Sequence, residues 1–298
     1  MDFRLKVFFT VATRLSFTKA AAELFITQPA ISKHIQELEE EYKIKLFDRN
    51  GSKIKLTKAG DVLLKHTKNI FEIYREIDFD MSTFLNERKG LLRLGASTTI
   101  SQYIIPPLLA RFHQKLESVK VSLLNGNTEQ IESALLNKEI EIGIVEGQSK
   151  NQSIKYTQFI KDELVLVCNP NNPLVRKKEV TPEDLKLLQF VMREQGSGTL
   201  EVIEYALKPF QIKIDQLQME MQLGSTESIK SYLINSNCVA FMSIHAVSKE
   251  LKNNELQIID VEGLTIDRYF YIITLQGKSD SLSELFIKNI SSYHNLKL

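Results

Sequence analysis

Two short helical patterns separated by a three-residue break occupy residues 17–39, and this arrangement constrains the fold more than any other feature. Phe17–Leu24 contains three alanines, which allow a second helix to approach closely. The second pattern runs over Gln28–Glu39 and places Pro29 at its start, where the missing N–H would be unpaired in any helix. Thr27 precedes it as a potential cap. The spacing predicts a helix-turn-helix.

The second helix has one apolar and one polar face. Ile31, Ile35 and Leu38 are separated by four and three residues and therefore share a buried face. The opposite face carries side chains able to hydrogen-bond to base edges and phosphates, namely Gln28, Ser32, Lys33 and Gln36. We interpret this as the recognition helix of a DNA-binding module.

The segments on either side complete such a module. Residues 2–14 repeat apolar side chains with helical spacing and are predicted to form a first helix, with Ser16 capping the next one. Tyr42–Phe47 and Lys53–Leu56 alternate polar and apolar residues around Asp48–Ser52, which predicts a hairpin turning at Asn-Gly. Its lysines are expected on the solvent side, able to follow a phosphate backbone: Lys43, Lys45, Lys53 and Lys55. A merely solvated lysine face is the alternative.

Charge and cysteine content agree with this interpretation. The chain of 298 residues has a net charge of only +1, but residues 1–60 hold 11 Lys/Arg against 7 Asp/Glu. Cys168 and Cys238 are far apart, form no C-x-x-C motif and suggest a reducing cytoplasm. We find no signal peptide and no run of about 18 apolar residues, so we expect no membrane association.

A long apolar repeat follows the hairpin. From Thr57 to Arg88 the only glycine is Gly60, there is no proline, and apolar residues recur every seven positions at Leu63, Ile70, Ile77 and Phe84. Such a repeat predicts a long helix buried against a partner helix. The simplest partner is the same helix of a second chain, and packing against its own domain is the alternative.

The remainder, from about residue 90, alternates strand-like and helical segments, which predicts an α/β domain with a mostly parallel sheet. Three stretches combine the end of a strand with the start of a helix, where ligands of α/β sheets bind. They are Gly95–Thr99, Arg193–Thr199 and Gly224–Ser228. Each supplies hydroxyls and free N–H groups, although helix capping alone would explain any one of them.

Several motifs quoted above occur together in a characteristic order: Ser16–Ala21, Gln28–Ser32, Leu38–Glu39, Leu46–Arg49 and Leu56–Gly60. The order and spacing of these motifs resemble those of the LysR-type transcriptional regulators. The resemblance implies a winged helix-turn-helix (residues 1–60), a linker helix for dimerisation (57–89) and an effector domain (90–298). The effector domain would be a two-lobed α/β fold like that of periplasmic binding proteins, with residues 91–162 and 268–298 in one lobe and 163–267 in the other.

The resemblance also assigns candidate residues. The DNA-binding set is Thr18, Gln28, Pro29, Ser32, Lys33, Gln36, Arg49, Lys53 and Lys55. Lys33 stands where many relatives have arginine, and lysine cannot make the bidentate contact of arginine to guanine. The effector set, between the lobes, is Ser97, Thr98, Thr99, Arg193, Ser197, Thr199 and Thr226. Leu200 stands where relatives often have arginine, which weakens the case for a strongly charged anion.

The predicted function is therefore sequence-specific regulation of transcription at a double-stranded DNA operator, modulated by a small anion or polar metabolite. The family adds a homodimer formed through the linker helix, a homotetramer, RNA polymerase as a further partner and a bacterial, cytoplasmic setting. No catalytic or metal-binding motif is present, and the five histidines show no ligand-like spacing, so we expect neither an enzyme nor a cofactor. A transport-type receptor would need a secretory signal, and an architectural DNA binder would not need a large α/β domain with a polar cleft.

Overall fold

The computed structural model describes residues 2–50, 53–85, 89–148, 150–177, 179–277 and 280–295. The chain divides into two compact units, Met1–Asn86 and Glu87–Leu298. Each unit has apolar core residues of its own.

The first unit begins with three helices whose ends are fixed by local capping. They are α1 (Phe3–Arg14), α2 (Phe17–Leu24) and α3 (Gln28–Tyr42). The Ser16 hydroxyl accepts the Lys19 N–H at 3.2 Å, and Thr27 accepts the Ala30 N–H at 3.4 Å, as their positions before the helices predict. The faces that α1, α2 and α3 share are buried, and Ile31, Ile35 and Leu38 of α3 are at most 1% exposed.

The wing is shorter than the sequence pattern indicated. It consists of β1 (Phe47–Asn50) and β2 (Lys53–Leu56), paired antiparallel with Asp48 opposite Lys55. The prediction of a strand from Tyr42 was wrong, because α3 continues to Tyr42 and Lys43 then adopts a left-handed conformation (φ 53°) that caps the helix. Lys43 and Lys45 therefore precede the ribbon and do not share its solvent face.

Helix α4 (Lys58–Phe84) follows the wing. Its first half packs on its own domain: Leu63 and Leu64 border the helical core, and the Phe71 ring meets that of Phe9 with centroids 5.2 Å apart. Its second half exposes the apolar repeat, since Ile77 is 47% and Phe84 80% exposed. The alternative, that this helix packs against its own domain, thus holds for its first half. Residues 86–88, at the end of the predicted helix, lie outside the described residues.

The second unit alternates strands and helices. Its first elements are β3 (Gly90–Ser97), α5 (Ile105–Lys115), β4 (Val119–Gly126), α6 (Thr128–Leu136), β5 (Ile142–Val145) and β6 (Ile154–Cys168). They are followed by β7 (Glu179–Val180), β8 (Gln189–Met192), α7 (Gly198–Leu207), β9 (Gln218–Gln222) and α8 (Thr226–Ile234). The last are β10 (Val239–Ser243), α9 (Ile244–Lys252), β11 (Gln257–Val261), β12 (Ile266–Leu275) and α10 (Ser281–Asn295).

The sheet is mixed. Its main path is β4-β3-β5-β12-β6-β10-β8-β9, with β11 paired to β6 and β7. The pairs at both ends of the path, β4-β3-β5 and β10-β8-β9, are parallel. The long strands β6 and β12 pair antiparallel with each other and with their neighbours on the path. The sequence did not indicate the first half of β6 or helix α9, and the helix expected from Ile100 begins as a π-helical turn at Ile100–Ile104.

Apolar cores lie towards the two ends of the paired strands β6 and β12. One, here called the α6 core, joins α6 residues such as Ile131 to Val145 and Ile273. Another, the α7 core, joins α7 residues such as Val202 to Phe190 and draws only on residues 164–266. The strands β6 and β12 contribute to both cores, Ile154 and Ile273 to the first and Leu164 and Ile266 to the second.

Candidate DNA interface and effector cleft

The polar face of α3 is open to solvent. Gln28, Pro29, Lys33 and Gln36 are exposed and Ser32 is half-buried. Gln28, Ser32 and Gln36 are four residues apart and form one row along the helix, and Gln28 donates to the Ser32 hydroxyl at 3.0 Å. A row of amides and a hydroxyl on an exposed helix provides donors and acceptors for base edges. The geometry thus matches what a recognition helix requires.

Glu39 connects this helix to the wing. Its carboxylate is buried and accepts the backbone N–H of Leu46 at 2.9 Å, that of Phe47 at 3.4 Å, and the ammonium of Lys45 at 2.7 Å. Burial opposes ionisation, but these three hydrogen bonds together outweigh it and lower the pKa of Glu39. One charged side chain therefore fixes where the wing starts relative to the recognition helix.

The other residues predicted to contact DNA lie on α2 and on the wing. Thr18 is exposed on α2, and Lys55 is exposed on the wing opposite Asp48. Arg49 and Lys53 belong to the wing strands, and their side chains lie outside the described residues.

All seven residues predicted for the effector cleft are buried in the second unit. Their exposures lie between 1% and 5%: Ser97, Thr98, Thr99, Arg193, Ser197, Thr199 and Thr226. They lie at and just after the end of β3, in the loop before α7 and its first turn, and in the first turn of α8. Residues so polar are rarely this buried unless they bond to one another or to a ligand.

Several of these residues contact each other directly. The Thr99 and Thr226 hydroxyls are 3.3 Å apart, and the Arg193 guanidinium donates to the Thr98 hydroxyl at 3.3 Å. Thr98 and Thr99 follow β3, whereas Arg193 follows β8 and Thr226 begins α8. The three stretches separated in sequence therefore form one polar region.

Beneath the hydroxyls is an ion-pair cluster that sequence reasoning missed. Glu146 accepts hydrogen bonds from Ser97 and, at 3.2 Å, from Thr199. Arg268 donates to Thr199 at 2.9 Å and to Asp162 at 2.7 Å. All three charged residues are at most 3% exposed. Glu146 directly follows the buried strand β5, whereas the sequence pattern that predicted the cleft consists mainly of hydroxyl side chains at strand ends.

A second contact group brings Tyr103 against α8. The Tyr103 hydroxyl donates to Glu227, and the Lys230 ammonium lies 4.9 Å from the centroid of its ring. Lys230 also pairs with Glu227 at 3.1 Å and with the buried Glu250 at 2.8 Å. Burial first, and then the Glu227 carboxylate, raise the pKa of Tyr103 far above its usual value.

The loop before α7 and the first residue of that helix pack closely against the end of β5. The Cα of Gly198 faces the end of β5 so closely that a Cβ there would lie 2.0 Å from the Glu146 carbonyl oxygen. The Gly196 carbonyl accepts the Glu129 N–H at 3.2 Å, and φ of Gly196 is +79°. The glycines of this loop are thus required by close approach and by a left-handed turn.

No group of three or more His, Cys, Asp or Glu side chains capable of holding a metal ion occurs among the described residues. Within the same ranges, no helix is both long and apolar enough to cross a membrane.

Comparison with known proteins gives consistent results for both units. Residues 3–61 match the family model "Bacterial regulatory helix-turn-helix protein, lysR family", and residues 85–293 match "LysR substrate binding domain". A probable RuBisCO transcriptional regulator of Cyanidioschyzon merolae is 34% identical, covering 93% of each chain.

Two solved structures extend the likeness to the fold. The regulatory domain of CcmR from Synechocystis PCC6803, in complex with 2-PG, is 29% identical over 68% of this chain and 96% of its own, with a TM-score of 0.62. Full-length CbnR complexed with its target DNA is 18% identical over 97% of this chain and 99% of its own, with a TM-score of 0.69.

The fold and the two sites define a two-part regulator, with a DNA-reading module joined to a sensor domain. The chain belongs to the LysR-type family of bacterial transcriptional regulators. The resemblance noted in the sequence is confirmed, and so is the function class of a DNA-binding regulator with an effector-binding domain.

Proposed function

We propose that α3 enters the major groove of an operator and reads it through Gln28, Ser32 and Gln36, while Lys33 contacts a phosphate. The support is that Gln28 and Gln36 are exposed and Ser32 is half-buried in one row of a helix whose opposite face is fully buried. Pro29 lies at the groove edge in this proposal. The remaining contacts are to the backbone, through Thr18, Arg49, Lys53 and Lys55.

The test of this arrangement is Lys33→Ala, measured by fluorescence anisotropy on operator DNA over a range of salt concentrations. Loss of one phosphate contact weakens binding and lowers the slope of log K against log salt by about 1. Lys6→Ala, which removes the same charge from an exposed position on α1, is the matched control. Unchanged affinity of Lys33→Ala at physiological salt contradicts the assignment.

We propose that the effector binds in the buried polar region formed by Ser97, Thr98, Thr99, Arg193, Ser197, Thr199 and Thr226. The observation that carries this proposal is the burial and mutual contact of side chains from three distant stretches. Thr99→Ala is expected to abolish the effect of the effector on DNA binding and to leave DNA binding itself intact. Thr157→Ala, at an exposed position of β6, is the control. An effector response that persists in Thr99→Ala excludes this pocket.

We further propose the domain organisation that the family implies. The winged helix-turn-helix spans residues 1–60 and the linker helix 57–89, with one lobe at 91–162 and 268–298 and the other at 163–267. The exposed apolar repeat of α4 pairs with that of a second chain, and the dimers assemble as tetramers. Action on a bacterial chromosome places the regulator in the cytoplasm, with RNA polymerase as its further partner. The proposed role needs no catalysis.

A further inference from the structure

The polar row of α3 extends one turn beyond Gln36. Residues spaced by four are neighbours on a helix surface, and four polar side chains follow this spacing: Gln28, Ser32, Gln36 and Glu40. Two hydrogen bonds join them in pairs. Gln28 Nε2 donates to the Ser32 hydroxyl at 3.0 Å. Gln36 Nε2 donates to Glu40 Oε1 at 2.7 Å. These bonds determine which polar atoms of the two amides remain for a base.

The two bonds differ in how firmly they fix the orientation of an amide. A hydroxyl both donates and accepts, so Ser32 can bond to either end of the Gln28 amide and leaves its orientation open. An ionised carboxylate only accepts. Glu40 therefore holds the N–H end of the Gln36 amide and would repel its carbonyl oxygen. Hydrogen bonds to a charged group are also about twice as strong as neutral ones.

The atoms left on Gln36 match one purine and not the other. An amide carries two N–H groups and one carbonyl oxygen, so with one N–H on Glu40 there remain one donor and one acceptor. In the major groove adenine shows the complementary pair, the N7 acceptor and the N6 amino donor. Guanine shows two acceptors, N7 and O6, and would set one of them against the Gln36 carbonyl oxygen.

The charge of Glu40 points to a role in selectivity. Glu40 is exposed and lines the groove between α3 and the wing together with Ser32 and Gln36. A carboxylate on a surface that binds DNA repels the phosphates and therefore lowers affinity for every sequence. What it adds is the fixed orientation of its neighbour, and a charge that holds a partner in register contributes to specificity more than to affinity.

We propose that Glu40 is a positioning residue for base recognition, which holds Gln36 in the orientation that selects adenine over guanine at one position of the operator. Glu40 accepts the N–H that points away from the Gln36 carbonyl, and the other N–H and the carbonyl oxygen face N7 and N6 of the base. Glu40 itself contacts no base. This inference rests on the proposed function of α3 and adds the base that Gln36 reads and the residue that controls the choice.

The experiment begins with selection of binding sites from a randomised duplex library by the full-length protein and by its Gln36→Ala variant. The position at which Gln36→Ala loses the base preference of the wild type is the one that Gln36 reads, and adenine is expected there. Two operators that differ only at this position are then compared by fluorescence anisotropy. The wild type is expected to bind the adenine operator about tenfold more tightly than the guanine operator.

Glu40→Gln tests the positioning role at constant side-chain size. Its amide both donates and accepts, so it no longer fixes the orientation of Gln36, and most of the tenfold ratio is expected to be lost. Affinity for both operators is expected to rise, because a negative charge beside the phosphates is gone. Both operators are measured with the same protein sample, so partial unfolding cancels from the ratio. A ratio unchanged in Glu40→Gln overturns the proposal.

Two controls isolate the contact. Glu37→Gln removes the same charge from the same helix, where the carboxylate pairs with His34, and is expected to keep the ratio. In the Gln36→Ala background, Glu40→Gln is expected to leave the ratio of the two operators as it is. A further change of the ratio in that background overturns the proposal, because Glu40 would then act on the base by another route.

The outcomes also separate this inference from the proposed function. If Gln36→Ala changes no base preference, the proposed readout of bases by Gln36 fails, and the role of Glu40 fails with it. If Gln36→Ala removes a preference for a base other than adenine, base readout by α3 stands and the positioning role of Glu40 fails.

Discussion

The buried carboxylate of Glu39 offers a sharp test of how the wing is held. In Glu39→Ala the amides of Leu46 and Phe47, which are 1% and 4% exposed as residues, lose their acceptor. An unsatisfied buried amide costs about 1–3 kcal/mol. The Leu46 amide, whose hydrogen bond to Glu39 is 2.9 Å long, should contribute more than the Phe47 amide, whose bond is 3.4 Å long. We therefore expect the two together to lower local stability by about 2–3 kcal/mol.

The contribution of Lys45 to this loss should be small. Its side chain is 75% exposed, and exposed ion pairs are worth at most about 1 kcal/mol. Hydrogen exchange of the full-length protein, read by mass spectrometry over residues 43–57, measures the local opening directly. Since about 1.4 kcal/mol is tenfold, the expected loss of protection is roughly 30- to 150-fold.

Glu40→Ala, one position along on the exposed side of α3, is the matched control and is expected to change little. Because the folded pKa of Glu39 is lowered from 4.5, its stabilisation is complete above pH about 4.5 and is lost as the pH falls through the lowered value. The difference between wild type and Glu39→Gln should therefore shrink in acid. Protection in Glu39→Ala within threefold of wild type at pH 7 would refute the reasoning.

Three further outcomes are expected. Gly198→Ala should lower the melting temperature, because the new Cβ would lie 2.0 Å from the Glu146 carbonyl, whereas Gly224→Ala, with no atom nearer than 3.7 Å, should be tolerated. Ile77→Asp, on the exposed stripe of α4, should shift the mass seen by light scattering towards the monomer if this stripe is the dimer contact. Cys168 should resist alkylation at pH 8 until the protein is denatured, since burial raises its pKa to about 11.

The parts of the fold that the sequence predicted well are those decided locally. The start of α3 depends on Thr27 and Pro29, and both lie within one turn of the helix they begin. Six of the seven residues predicted for the cleft are hydroxyls, which form a recognisable sequence pattern at strand ends and helix starts. Their gathering into one region could be expected from the parallel arrangement of the strands that precede them.

What was missed depends on contacts between distant residues. The part of β6 that was not predicted, before Leu164, includes the buried Asp162, which breaks the apolar alternation that marks a strand. Its burial is tolerated only because Arg268 and Ser243, more than 80 residues further along the chain, bond to it. The beginning of the wing was misplaced because Lys43 terminates α3 by a left-handed cap, a conformation that favours glycine and asparagine over lysine.

The two long strands β6 and β12 join the α6 core to the α7 core. They run antiparallel from Ile266 opposite Leu164 to Leu275 opposite Ile154, with one bulge between Phe270 and Tyr271. Paired strands carry a right-handed twist, and a bulge increases that twist locally. Arg268 and Asp162 face each other on this ribbon. Because both cores draw on these two strands, a change at the Arg268–Asp162 pair acts on the connection between the α6 core and the α7 core.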